Sequence, residues 1–283
     1  MTAKYLVVGS PVAHSLSPAM MNAAFRAAGI DAVYEAREIP PERWPAAMEA
    51  LWRDGIAGAN VTVPHKEGAL AAAREASDTA REIGAANTLI RTDDGWRADN
   101  TDGPGFITWL VELGLTDAAR KETLVLGAGG SAREVAWALQ RMGAERIRIA
   151  NRSVERAEEL VRTLGEGEAT AESIDGARAP EGGLVVNCTS LGLRDGDPLP
   201  IGAQALAGAK AVLDLVYPDT ALVLAARRAG IRAEHGLGML VHQGCLAFER
   251  WTSRLPGPRV LAGAAAEETR RRKGEPPGGR RSS

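Results

Sequence analysis

Cysteine is scarce. Cys188 and Cys245 are the only two in 283 residues, too few for a disulfide framework and without metal-ligand spacing around them. A reducing cytoplasm is the compartment this implies. The four histidines, His14, His65, His235 and His242, stand at no ligand spacing either, so no metal site is expected. No apolar run reaches the length that spans a bilayer, and the run from Tyr5 to Val8 is too short for the apolar part of a secretory signal. The glycosylation sequons at Asn60, Asn151 and Asn187 are therefore read as chance matches. A dominant charge is also lacking. The net charge is −2, and outside residues 267–283 the chain has 28 basic against 33 acidic groups. Such a surface gives no reason to expect nucleic acid or anionic membrane as a partner, and a small anion must be caught locally. There is no Walker A loop, no H-E-x-x-H and no G-x-S-x-G elbow.

What is present is ordinary globular composition, 45% hydrophobic and 25% charged, in a chain long enough for two medium domains. Extended segments at 4–8, 33–38 and 59–63 alternate with helical ones at 19–28, 42–53, 67–74 and 78–83. Asp93-Asp94-Gly95 then turns one extended piece, 86–90, into another, 96–99, as a hairpin would. A second α/β series follows, with strands at 123–126, 146–150, 184–187, 211–215 and 231–234. Its helices fall near 130–142, 154–164 and 221–229, and two more cover 239–254 and 259–273. Residues 274–283 read as a disordered basic tail.

Chemistry-bearing residues gather where these segments end. Asn60-Val61-Thr62-Val63-Pro64-His65-Lys66 closes an apolar run, and Pro64 at a helix start places Lys66 in the first turn. A cation gains nothing there from the helix dipole, although a solvated surface lysine is the bland alternative. Ser17 before Pro18 reads as a helix N-cap, whereas Ser15 has no such structural role; two hydroxyls beside a helix N-terminus suit a carboxylate. Asn87 and Asp102 also sit at ends of extended pieces, and Asp102 serves equally well as an N-cap.

Gly127-Ala128-Gly129-Gly130-Ser131-Ala132 is a G-x-G-x-x-A turn between a strand and a helix, the context a dinucleotide pyrophosphate needs. Tight packing alone is the other reading of such a turn. About 20 residues on, where an NAD site carries an acidic residue, this chain has Asn151-Arg152-Ser153-Val154-Glu155-Arg156. Arg152, with Arg156 near it, pairs with a 2′-phosphate, so NADP is favoured.

Taken together, the chain resembles the shikimate dehydrogenase family. The resemblance rests on S-L-S-P at 15–18, N-V-T-V-P-H-K at 60–66, G-A-A-N-T at 84–88, N-T-D-G at 100–103 and G-A-G-G-S-A at 127–132. It continues through N-R-S at 151–153, N-C-T-S-L-G at 187–192, D-L-V-Y-P at 214–218 and G-x-G-M-L-V-x-Q-G at 236–244. Each motif is weak alone, but their order is specific. Leu193, where many relatives carry methionine, and the Arg-rich tail depart from the pattern.

This resemblance implies NADP-dependent, reversible reduction of 3-dehydroshikimate to shikimate in aromatic amino acid biosynthesis, by a monomer or homodimer. Lys66 and Asp102 would be the catalytic pair. Ser15 and Ser17 would take the substrate carboxylate, with Asn60, Thr62, Asn87, Asp102, Tyr217 and Gln243 around the ring. The cofactor would meet the glycine turn, Asn151, Arg152, Ser153, Arg156, Thr189, Val216, Gly236 and Met239, with Asp78 as a further contact. Two α/β domains flanking a cleft are expected: 1–101 for substrate, completed by helices 239–270, and a Rossmann-like 102–238 with a parallel sheet. A quinate/shikimate dehydrogenase and a non-catalytic NADP-binding regulator are the rival readings.

Overall fold

The computed structural model describes residues 2–165, 167, 169–194 and 196–274. They form two compact α/β units, one holding the chain through Thr101 and again from Leu240, the other spanning Asp102–Met239. In chain order the first contributes β1 (Ala3–Gly9), α1 (Ser17–Ala28), β2 (Ala32–Glu38), α2 (Trp44–Arg53), β3 (Gly58–Val61), α3 (Lys66–Ala72), β4 (Glu75–Ala76), α4 (Asp78–Ile83), β5 (Thr88–Thr92) and β6 (Gly95–Asp99). The second opens with α5 (Asp102–Glu112) and α6 (Thr116–Arg120). It continues through β7 (Glu122–Leu126), α7 (Gly130–Arg141), β8 (Arg146–Asn151), α8 (Val154–Thr163), β9 (Ala169–Ser173), β10 (Leu184–Asn187), β11 (Ala211–Asp214), α9 (Ala221–Arg228) and β12 (Arg232–His235). Helix α10 (Leu237–Thr252) carries the chain back to the first unit, which α11 (Pro258–Arg272) completes. Apart from Gly274, the tail expected at 274–283 lies outside the described residues.

The first sheet runs β2-β1-β3-β5-β6-β4. Strand β1 is flanked by two parallel neighbours and reads Tyr-Leu-Val-Val, buried on both faces as such a strand must be. The hairpin β5–β6 adds antiparallel pairing against β3. That reversal matters: the start of β5 and the end of β6 lie beside the end of β3, with Asn60 opposite Thr88 and Thr88 opposite Asp99. One face packs Trp44, Met48 and Leu51 of α2 and Ala69 of α3 against Leu6, Val8 and Leu89. Elsewhere in this unit Tyr5 stacks on Phe25 and packs at a tilt on Trp251, 4.9 Å from each ring.

The second sheet is wholly parallel in the order β12-β11-β10-β7-β8-β9. Counted from its own first strand this is 3-2-1-4-5-6 read from the far edge, the Rossmann order. The expected α/β class, with a Rossmann-like second sheet, is what the chain adopts. The order reverses between β7 and β10, so the turns after these strands open on the crevice where such sheets bind nucleotides. Val135 and Leu139 of α7 are fully buried against Val125, Ile149 and Val186 in one core of this unit.

Candidate active site

Three turns and one helix meet at a single edge of the first sheet. Asn60, near the end of β3, accepts the Tyr34 hydroxyl at 2.7 Å on its Oδ1. Its Nδ2 is thereby aimed at the Asn87 carbonyl and the Thr88 Oγ1, each at 3.2 Å. Asn87 is the hub. Its Oδ1 accepts the Thr101 amide at 2.7 Å and the Thr88 hydroxyl at 2.9 Å, while Nδ2 donates to Thr101 Oγ1 at 3.0 Å and Gln243 Oε1 at 3.3 Å. All these side chains are buried. A buried amide leaves no partner unsatisfied without cost, so the network fixes each head group in one orientation.

Lys66 reaches the same edge through its backbone, its carbonyl accepting the Ala86 amide at 2.9 Å. Lys66 opens the helix, one residue ahead of the expected 67–74, but Pro64 lies before α3 and His65 is its cap residue, so Pro64 is not the first helical position. His65 is clamped instead, its ring stacked on Trp44 at 4.3 Å and Nε2 2.6 Å from the Ile39 carbonyl. Thr62 anchors the same turn through its amide on the Val8 carbonyl, 2.8 Å away.

The two serines exchange the roles expected of them. Ser17 is the first residue of α1, Leu16 is the cap, and no side chain caps the helix. Ser15 is the one with a structural job, since its Oγ accepts the Ser17 amide at 3.1 Å. A chain that enters α1 through Leu16 with helical dihedrals leaves the upstream hydroxyl nearer the free amides.

In the second unit the glycine turn follows β7 directly. Gly127 has φ +103°, and a Cβ there would come within 3.2 Å of the Cys188 carbonyl group, so only glycine makes this approach between the ends of β7 and β10. Gly129 is different: an added Cβ would meet nothing within 4 Å, which marks open space beside the start of α7. A turn tight on its inner side and open at a helix N-terminus fits a pyrophosphate. Ala132, behind it, is fully buried against the sheet, and Ala128, Gly130 and Ser131 complete the turn.

Next to this turn, Asn187 and Asp214 face each other across β10 and β11. Asn187 Nδ2 donates to Asp214 Oδ1 at 2.8 Å, and its Oδ1 accepts the amide and hydroxyl of Thr189 at 3.0 and 2.7 Å. Asp214 also accepts the Val216 amide at 3.0 Å and the Thr220 hydroxyl at 2.5 Å. Burial pushes its carboxyl above the usual range, and these hydrogen bonds oppose the shift. The Cys188 thiol is pushed well up by burial, with the Asp214 and Glu134 charges adding to it.

Gly236 donates its amide to the Val216 carbonyl at 3.2 Å, and Met239 is buried in the core of this unit. After β8, Asn151 Nδ2 donates to the Ser153 carbonyl at 2.9 Å, and Ser153 caps α8 by accepting the Arg156 amide. The same serine donates to Glu155 at 2.7 Å, which lowers that carboxyl. Arg152 and Arg156 are exposed.

Similarity to known proteins covers almost the whole chain. Family models described as the shikimate dehydrogenase substrate binding domain, shikimate/quinate 5-dehydrogenase and the shikimate 5′-dehydrogenase C-terminal domain match residues 7–89, 110–190 and 236–260. A shikimate dehydrogenase (NADP(+)) of Anaeromyxobacter dehalogenans is 46% identical over 94% of this chain and 96% of its own. The chain belongs to the shikimate dehydrogenase family. A Methylobacterium radiotolerans member of the same name is 44% identical, over 92% and 94% of the two chains. Shikimate 5-dehydrogenase from Thermus thermophilus, solved in complex with NADP(H) and shikimate, has a TM-score of 0.85 and 38% identity, covering 93% of this chain and 98% of that one.

Within this shikimate dehydrogenase family member, the first unit brings together Asn60, Asn87 and Gln243 by direct hydrogen bonds, and Thr62 and Lys66 by their shared turn. Asp102 follows Thr101 directly and opens α5, while Tyr217 lies on the turn after β11, both in the second unit. Asp78 stands in the first unit, exposed on α4 and paired with Arg81 at 2.9 Å, whereas the other expected cofactor residues belong to the second. Sequence reasoning missed Tyr34, Thr88 and Thr101 as orienters of Asn60 and Asn87, and Asn187 with Asp214 as the tie between two nucleotide-side turns. The last pair carried a readable signal, a polar residue at the end of each of two apolar strands.

Proposed function

We propose that this chain catalyses the NADP-dependent, reversible interconversion of 3-dehydroshikimate and shikimate, with Lys66 and Asp102 as its catalytic pair. The observation that carries the proposal is the amide network around Asn87, which presents fixed polar groups at the sheet edge where the Lys66 turn also lies. A ring bearing several hydroxyls is the kind of ligand such a set of oriented donors and acceptors recognises. Asn60, Thr62, Asn87, Tyr217 and Gln243 take the hydroxyls, and the Ser15 and Ser17 hydroxyls take the carboxylate.

NADP, when bound, supplies or accepts the hydride. The glycine turn would receive its pyrophosphate, Arg152 and Arg156 its 2′-phosphate, and the turns of Thr189, Val216 and Gly236 the remainder. In the reductive direction, addition of hydride to the carbonyl carbon leaves the electron pair of the C=O bond on oxygen. The Lys66 ammonium stabilises that alkoxide and donates its proton to it, ending as the neutral amine, which solvent reprotonates. Oxidation reverses each transfer. Asp102 favours the charged lysine and orients the substrate hydroxyl.

The proposal puts the enzyme in the cytoplasm, as a monomer or homodimer; free Cys188 and Cys245 suit a reducing compartment. No helix among the described residues is long and apolar enough to cross a membrane.

The test is an activity matrix of shikimate and quinate against NADP and NAD, followed by absorbance of the reduced cofactor. Rapid turnover is expected for shikimate with NADP and much slower turnover for the other three pairs. Equal rates on quinate would favour the quinate/shikimate reading, and no turnover with shikimate and either cofactor would end the proposal.

A further inference from the structure

The turn between β1 and α1 is held from outside by the last turn of α11. Arg272 donates from Nη1 to the His14 carbonyl at 2.7 Å and from Nη2 to the Ser15 carbonyl at 2.9 Å. Its third donor, Nε, is taken by Glu268 Oε1 at 2.7 Å, so the planar fork is fixed on the helix before it meets the loop. Ser10, at the start of the loop, is tied to the sheet by its amide on the Val63 carbonyl at 3.0 Å, but nearer the serines the bonds are short-range: Ser15 donates its amide to the Val12 carbonyl at 3.0 Å and accepts the Ser17 amide on Oγ at 3.1 Å. His14 is exposed and Ser15 half-buried, so apolar packing holds the loop through the buried Val12 and Leu16 on either side and not through these two side chains. The neighbouring Arg271 makes the contrast. It also pairs with Glu268, at 2.7 and 2.8 Å, and has no bond to the loop among those the structure gives it.

We infer that Arg272 is a positioning residue for the substrate carboxylate, strapping the His14 and Ser15 carbonyls to α11 so that the Ser15 and Ser17 hydroxyls keep one spacing at the start of α1. The inference rests on the assignment of those serines to the carboxylate under the proposed function. With both carbonyls turned to the guanidinium, rotation of the 14–15 and 15–16 peptides would break a charged hydrogen bond each, and the hydroxyls are preorganised before substrate arrives. The residue lies beyond the motifs that carry the family resemblance, the last of which spans 236–244. Docking of α11 itself does not depend on it, because Leu261 and Ala265 are fully buried.

The experiment is steady-state kinetics on Arg272→Ala, Arg272→Lys, Arg271→Ala and Ser15→Ala in the full chain, with the thermal midpoint of each. Arg272→Ala is expected to raise KM for shikimate about tenfold with kcat within about twofold and KM for NADP unchanged. Arg272→Lys, which keeps the charge and loses the fork, is expected between that variant and the parent. Arg271→Ala is expected to match the parent. If Ser15→Ala raises KM for shikimate and neither Arg272 variant does, the strap is wrong while the serine site stands. If Ser15→Ala leaves KM unchanged, the serine assignment falls and the inference with it. A fall in thermal midpoint with kcat and both KM values moving together in Arg272→Ala, matched by Arg271→Ala, would show helix stabilisation only and overturn the positioning role. Should Arg272→Ala not fold, Arg272→Lys and Arg272→Gln decide by the same KM reading.

Discussion

An ammonium placed at the first residue of α3 gains nothing from the helix, whose N-terminus is already partly positive. On the proposed reading, its position serves chemistry at the strand end. Lys66→Ala is therefore expected to lower kcat by roughly two to four orders of magnitude while KM for shikimate changes only a few-fold, the mark of an interaction made in the transition state. Steady-state rates with shikimate and NADP measure this, and an unchanged kcat would remove Lys66 from the mechanism. Arg152, exposed after β8, is assigned by the proposed function to the 2′-phosphate of the cofactor. Replacing it with alanine is expected to raise KM for NADP about tenfold, the loss of a charge-assisted contact, and to leave KM for NAD as it was. Comparable losses for both cofactors would place Arg152 away from the 2′-phosphate.

Elements decide where these residues stand. A parallel strand gives its polar end to one edge of its sheet, and the hairpin β5–β6 brings Asn87 and Thr101 to the edge already occupied by Asn60. The glycine positions around the nucleotide turn are separable on the same grounds. Gly129 is extended, with φ −96°, and a methyl group there meets nothing in the protein within 4 Å. Gly129→Ala is expected to keep its thermal midpoint to about 2 °C and to bind NADP at least about tenfold more weakly, because the methyl takes space meant for the pyrophosphate. Gly236→Ala is expected to do the opposite kind of damage. Its Cβ would fall 2.1 Å from the Leu215 carbonyl oxygen, so the variant should unfold several degrees lower or fail to accumulate. Calorimetry and titration of both variants test the pair, and a stable Gly236→Ala or a tightly binding Gly129→Ala would contradict it.

At the scale of the molecule, two units have their own sheets and their own cores, and the chain passes from one to the other at Asp102 and again after Met239. Ligand binding should be visible in each separately. In amide hydrogen exchange, NADP alone is expected to slow exchange around 127–132, 151–156 and 189, and shikimate alone around 15–17, 60–66 and 87. A ligand binding the native state at a hundredfold excess over its Kd stabilises that state by about 2.7 kcal/mol, enough to be read in the affected segments. Protection by NADP confined to the first unit would overturn the allocation of sites.

The amino-acid order alone determined most of the elements, because long apolar runs and helical spacing state their own structure: β10 at Leu184–Asn187 and α4 at Asp78–Ile83 fall where the pattern puts them. Strand β9 was not legible. Ala169–Ser173 has no apolar stripe, and it is held at the sheet edge by its ladder to β8 and by Arg148, which pairs with Glu172 at 2.7 Å across the strands. The chemistry-bearing residues were legible as types at strand ends, but not their orientations. That Asn60 points its amide one way because Tyr34, 26 residues earlier, takes its oxygen, and that Arg272 holds a turn 257 residues before it, are facts of packing. Local spacing encodes what neighbours along the chain do to each other, whereas a hydrogen bond between distant residues exists only once the fold has brought them together.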